Sequence, residues 1–165
     1  MKTDLHEKIK VYLDILNDTV LNDFVDGETW EIILKRGHFI VSLRHTKDMP
    51  FVEAVFPSPF KEEESLQKLD TFFANPKNMV RLLSYLTSPY TSFNLIKENG
   101  RFGGFTVTTK LFPYEEGFSI QNLDHAIKAV VSAGALGFMY IQICAGDIPI
   151  EQRIVVEEAS DRMFR

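Results

Sequence analysis

The chain predicts an α+β domain, an antiparallel sheet of about five strands with helices packed on one face. Three observations lead there. Residues Thr29–Phe56 alternate apolar and polar side chains as three consecutive antiparallel strands. Asn99-Gly100, set between two further alternating runs, is a strong short hairpin signal. Towards both ends of the chain, apolar residues recur at helical rather than strand spacing.

Residues 4–25 predict an amphipathic helix, with Leu5, Ile9, Tyr12, Leu13, Leu16, Val20 and Phe24 on its apolar stripe. Thr3 or Asp4 caps it, and Asp26-Gly27 supplies the stop.

The meander follows. Trp30–Lys35 and His38–Arg44 flank Arg36-Gly37, a two-residue connection whose glycine accepts positive φ. With that turn, Lys35 sits opposite His38, Leu34 opposite Phe39, Ile33 opposite Ile40, Ile32 opposite Val41 and Trp30 opposite Leu43. Alternation then gathers Trp30, Ile32, Leu34, Phe39, Val41 and Leu43 on one face. A third strand, Phe51–Phe56, adds Val52, Ala54 and Phe56, with Pro50, Pro57 and Pro59 confining its pairing.

The other face carries Glu31, Lys35, His38, Ser42, Arg44 and Glu53, as a solvated face does, but also Ile33, Ile40, Phe51 and Val55. Several apolar residues close together on a polar face suggest a surface for a partner. These four are the candidate partner-binding residues. The alternative, that another part of the chain covers them, stays open.

Beyond Pro57-Ser58-Pro59, residues 61–74 turn helical, with Glu62 to Glu64 in the first turn where the helix dipole favours them. Asn75-Pro76 opens a second short helix bearing Met79, Val80, Leu82, Leu83 and Leu86, which Ser88-Pro89 ends. Ser92–Ile96 and Phe102–Phe112 form the second hairpin, with Glu98 facing Arg101 and Gly103-Gly104 marking a bulge or close backbone approach.

Ser119 caps a long helix over 120–144, whose small residues Ala129, Ala133 and Gly137 let it lie close to a sheet or another helix. No charge occurs from 129 to 146. A membrane span ranks below a buried helix, because the run is short, includes Ser132 and Gln142 and lacks a flanking basic cluster. A split with Phe138–Ile143 as a strand stays open. Residues 149–165 fit a short helix starting at Pro149 or a mobile terminus.

Composition bounds the function. The 165 residues are most simply a single domain with a real core, and 14 phenylalanines make that core aromatic-rich. A net charge of −5 argues against a non-specific nucleic-acid binder, which needs a positive surface. The lone cysteine, Cys144, excludes an internal disulfide and a multi-thiolate metal site; its apolar setting points to buried core rather than a reactive thiol. No apolar signal region follows Met1, which makes the cytoplasm the default location.

The tests for chemistry return little. His6, His38, His45 and His125 lack metal-ligand spacing and read as scattered surface histidines. The Gly-x-x-Gly in 100–103 joins two strands rather than leading into a helix, so turn plus bulge accounts for it. Glu115-Glu116 and Glu157-Glu158 are neighbours that point apart into solvent, and no serine sits in a nucleophile elbow. No catalytic residue, metal site or cofactor is expected.

The order helix, three strands, one or two helices, two strands, helix spans about residues 4–144. With the acidic balance and the length, it resembles the type III secretion chaperone-like fold, also found in a family described as bacterial sensory-transduction regulators. The resemblance implies a homodimeric, non-enzymatic protein that binds another polypeptide, which in the secretion chaperones wraps as an extended segment over apolar patches. No motif is matched, so no functional residue carries over. Two readings stand: a chaperone-like or regulatory protein-binding module with no nucleic-acid or membrane partner, or a small-molecule or nucleotide binder, even an enzyme, with a pocket between sheet and helices. For the dimer, the helices of 61–87 with the strand Phe102–Phe112 are the expected surface.

Overall fold

A computed structural model describes residues 4–114 and 117–146. The readings of Glu115-Glu116, of 149–165 and of Glu157-Glu158 therefore lie outside the described residues. The architecture is α+β: an open antiparallel sheet of six strands, ordered β1-β2-β3-β4-β6-β5, with four helices among the described residues. All four helices pack on one face, where a single apolar cluster joins Ile9 and Leu13, Leu66 and Leu69, Leu82 and Leu86, and Leu123 to Ile141 with the sheet.

The sixth strand comes from the segment expected to finish the first helix. Helix α1 runs only Leu5–Ile15, capped by Asp4, whose carboxylate accepts the His6 amide at 3.2 Å. Asn17 then takes a left-handed φ of 58° and the chain enters β1, Thr19–Asp26. Asp26-Gly27 stops no helix; it opens the tight turn to β2, Thr29–Arg36, with Asp26 paired to Thr29. Asp-Gly serves both as a helix terminator and as a hairpin turn, and a bulge between Val20 and Asn22 breaks the alternation that would have marked the strand.

The β2–β3 hairpin turns at Gly37-His38 rather than Arg36-Gly37, so that Arg36 pairs with Phe39 at the start of β3, Phe39–His45. Gly37, at φ 62°, takes the first turn position. Every partner moves by two residues: Ile33 lies opposite Ser42, not Ile40, and Ile32 opposite Leu43. A shift of two preserves the side-chain alternation, which is why the faces stand although the register does not. Trp30, Ile32, Leu34, Val41 and Leu43 are buried on the helix side. Phe39 is half-buried there, its ring 5.5 Å from that of Phe56.

Strand β4, Val52–Pro59, runs through the two prolines expected to end it. It pairs with β3 only from Glu53 to Val55 but with β6 along its whole length. The Phe60 amide donates to the Gly103 carbonyl at 2.8 Å, so by alternation the positions of Pro57 and Pro59 face away from β6, beyond the last rung of the β3 ladder. An absent N–H costs no ladder bond there.

Helices α2, Glu63–Phe73, and α3, Pro76–Leu86, follow, the second capped by the Asn75 side chain. Strands β5, Ser92–Glu98, and β6, Arg101–Leu111, turn at Asn99-Gly100 with Glu98 opposite Arg101. The expected bulge is present, Gly103 being the extra residue between Phe102 and Gly104. Gly104 has φ 120°, and a Cβ there would sit 2.1 Å from the Ser58 carbonyl oxygen.

Helix α4, Ile120–Ala145, starts in a capping box between Ser119 and Asn122 and crosses β3, β4 and β6. Phe138–Ile143 belongs to this helix, not to a strand. Gly134 and Gly137 allow its close approach, with Phe56 against the first and Leu86 against the second. Only one flank is buried: Leu136, Met139 and Ile143 are exposed, and so is Cys144, against the expectation of a core thiol. A helix apolar all round gives no phase in the sequence from which to tell its inner side from its outer.

Candidate functional site: the face without helices

Alternation gives the sheet a second face, and the register aligns its residues in rows across the strands. The central row runs Asn22, Ile33, Ser42, Val55, Thr108 and Ser92 from β1 to β5. Next to it lie Phe24, Glu31, Arg44, Glu53 and Lys110, and on its other side the pair Lys35 and Ile40 on β2 and β3 and the row Pro57, Thr106 and Asn94 on β4, β6 and β5.

The middle of this face is dry. Ile33 is 0% exposed, Ser42 1% and Val55 3%. Ile33 and Val55 are the two buried apolar residues that stand apart from the helix-side cluster among the described residues. Ile40 and Phe51 are half-buried. The structure thus brings the four candidate residues to one face, two as its floor and two around it.

A polar lattice holds the floor in place. The Ser42 hydroxyl donates to Glu31, and Arg44 Nε donates to Glu31 Oε1 at 2.6 Å and to Ser42 Oγ at 3.1 Å. Ser42, read as a solvated residue, is instead satisfied inside this triad, as burial of a hydroxyl requires. Arg44 keeps part of its side chain in solvent. At the other end of the face Lys110 Nζ lies 4.4 Å from the centre of the Phe51 ring, with the Phe112 ring edge-on at 6.1 Å. The face therefore offers an apolar floor rimmed by charge of both signs.

Sequence reasoning missed Phe24 on this face, because its spacing from Val20 was read as helical; its position opposite Glu31 follows from the strand assignment. It also missed an ion-pair cluster on the helix side. Arg36, read as a turn residue, donates from Nε to Asp18 Oδ1 at 2.6 Å and from Nη1 to Asp124 Oδ1 at 2.7 Å, while Lys128 reaches Asp124 at 2.6 Å. Burial opposes the charge on Arg36, but the Asp18 and Asp124 carboxylates outweigh it and raise its pKa. These groups line a cleft of about 620 Å³ with Leu16, Lys35 and Gly37. Arg36, Asp18, Asp124 and Lys128 are paired with one another, which ties the α1–β1 connection, β2 and α4 together.

The histidines are not all on the surface. His6 and His45 are buried on either side of Trp30, with ring centres 5.3 and 5.5 Å away. His6 Nε2 bonds Asp23 Oδ1 at 2.7 Å and His45 Nδ1 donates to the Phe51 carbonyl at 3.0 Å. His38 and His125 are exposed. Among the described residues no group of three or more His, Cys, Asp or Glu is placed to hold a metal ion.

No family model matches the chain, and no curated protein matches it. Among solved structures it is similar to an uncharacterized protein from Methanothermobacter thermautotrophicus, at 16% identity and a TM-score of 0.71, over 86% of this chain and 99% of that one. That likeness concerns the fold.

Proposed function

We propose that this protein is a non-enzymatic, polypeptide-binding module of chaperone-like or regulatory type, and that the helix-free face of the sheet is its binding surface. The observation that supports the reading is the dry apolar floor of Ile33 and Val55 on a face that none of the described helices occupies. An extended segment matches such a floor, since alternate side chains reach down while the others meet the charged rim of Lys35, Arg44, Glu53 and Lys110. Ile40 and Phe51, half-buried beside the floor, are the residues such a segment reaches first. The expected resemblance to secretion chaperones rested on three strands after the first helix where four are present, and it enters here only as an analogy of fold.

The same proposal includes a homodimer formed on the helix side. Val80 and Tyr85 of α3 and Leu136, Met139 and Ile143 of α4 leave exposed apolar surface on two helices that pack together. Strand β6 lies between β4 and β5, so its part in such a dimer is to support α2 and α4 rather than to offer an edge.

The test of the binding reading is a photo-reactive residue at Ile40 in cells expressing the full chain, with cross-linked products identified by mass spectrometry. A defined heterologous polypeptide, lost when Phe51→Asp is added on the same face, supports the reading. Cross-links to this chain alone refute it. Light scattering that reports a monomer removes the dimer.

A further inference from the structure

One flank of α4 carries Ala126, Ala129, Ala133, Gly137 and Tyr140, spaced three and four residues apart. Helix α3 covers the far end of that flank. Leu82 and Leu86 lie against Gly137, and Asn78 and Tyr85 against Tyr140. Helix α3 then ends at Leu86, and Tyr90-Thr91 leads the chain into β5. At Ala126 and Ala129 the flank meets a groove instead, of about 470 Å³, bounded by Thr109 of β6 and by Tyr90. Small-molecule sites span roughly 300–1,000 Å³.

The lining divides by character. Ala126 is buried and Ala129 and Thr109 are half-buried, so these three make the floor. The Thr109 hydroxyl is committed to the Tyr90 carbonyl at 2.7 Å, which fixes the backbone that carries the Tyr90 ring. His125, Lys128 and Ser132 are exposed and form the rim. Among the described residues, the His125 ring and the Ser132 hydroxyl have no partner. Lys128 gives one of its three N–H groups to Asp124, at 2.6 Å. Asp124 is also held by Arg36 Nη1 at 2.7 Å, and no residue lining the groove is acidic.

A further donor lies at the same end of the sheet. The Thr91 hydroxyl is buried without a hydrogen-bond partner among the described residues. Thr91 sits between Tyr90 and Ser92, and Ser92 pairs with Thr108, the neighbour of Thr109. Burial of a hydroxyl calls for a partner, and the described residues supply none here.

We propose that this groove binds a small aromatic carboxylate, its ring over Ala126 and Ala129 against Tyr90 and its carboxylate at Lys128 and Ser132. The two alanines offer no hydrogen bond, so the body of the ligand is apolar, and a planar ring matches the face of Tyr90. The rim presents an ammonium and a hydroxyl with no opposing carboxylate, so the head is a negatively charged acceptor. The remaining N–H groups of Lys128 and the Ser132 hydroxyl meet its two oxygens, and His125 closes the rim beside them. The groove lies on the helix side of the sheet, so this site and the polypeptide-binding face stand or fall separately.

The experiment titrates the full chain, carrying methyl-labelled alanine, with cinnamate and with its neutral counterpart cinnamamide. Saturable shifts of the Ala126 and Ala129 methyls are expected with cinnamate, and binding at least about tenfold weaker with cinnamamide. Lys128→Gln should weaken cinnamate about tenfold and leave cinnamamide unchanged. Lys128 also pairs with Asp124, so a merely structural role would weaken both ligands alike, and that result overturns the proposal. Ala129→Leu fills the groove and should abolish binding of both ligands. Should the leucine unfold the chain, Ser132→Ala tests the head from the exposed rim: cinnamate must weaken and cinnamamide must not. Methyls of Ala126 and Ala129 that do not shift, or cinnamate binding undiminished in a folded Ala129→Leu variant, overturn the site. Equal affinity for cinnamate and cinnamamide overturns the carboxylate.

Discussion

Ile33 and Ser42 face each other across β2 and β3 on the side of the sheet that carries no helix, and neither is more than 1% exposed. A hydroxyl and an aliphatic side chain side by side in a dry layer make the floor a mixed one. Its polar member is satisfied by Glu31 and through it by Arg44. Its apolar members gain only from being covered. That asymmetry separates residues that hold the face together from those that recognise what lies on it.

Ile33→Asp and Ile40→Asp should therefore differ. The first places an unpaired carboxylate in a dry layer, which costs about 3–5 kcal/mol by analogy with breaking a buried ion pair. The second lies at a half-buried position beside Lys35 and should cost no more than about 1 kcal/mol. Urea unfolding of both variants measures the difference, and equal losses would place Ile40 in the core.

Trp30→Ala should cost about 3–5 kcal/mol, because it empties a site packed by both His6 and His45. Phe39→Ala, at a half-buried position with one ring contact to Phe56, should cost about 1–3 kcal/mol. The order of the two chemical-denaturation midpoints tests the face assignment. A larger loss for Phe39 would contradict it.

Gly134→Ala should destabilise although alanine is the better helix former by about 1 kcal/mol. The added Cβ would stand 2.2 Å from Phe56 Cδ1, inside a ring that is itself fully buried. Overpacking of this kind costs typically about 1–3 kcal/mol. Shortening the ring with Phe56→Leu in the same chain should recover part of the loss, measured by thermal unfolding of the single and double variants.

What the sequence made legible divides along local and non-local physics. The Asn99-Gly100 hairpin was readable because both residues must take positive φ, and they do, at 50° and 79°. Faces were readable because alternation survives a register shift of two. Strand β1 was hidden by a dipeptide with two meanings, Asp26-Gly27, and by a bulge at Leu21 that broke the period. The outer side of α4 was hidden because Leu136, Met139 and Ile143 are as apolar as its inner side. Of the site, the four residues were readable as members of one face; the burial of Ile33 and Val55 was not, since cover depends on what lies above a face and not on the strands that make it.

The acid limb of stability should depend on Asp23. This carboxylate joins β1 to α1, bonded to His6 Nε2 at 2.7 Å and to Lys10 Nζ at 3.1 Å. Burial alone would raise its pKa, but the hydrogen bonds from His6 and Lys10 outweigh that and lower it below the ordinary value of 3.8. The unfolded chain then binds the proton more readily than the folded one, so stability rises with pH through this window. The contribution is complete above the unfolded value and is lost as pH falls through the folded one. Asp23→Asn removes the titration: stability of the variant should be lower near neutral pH and should fall less steeply below pH 4 than that of the unmodified protein. Urea midpoints measured across the acid range check this, and parallel pH profiles for the two proteins would show that the α1–β1 contact carries no charge-dependent stability.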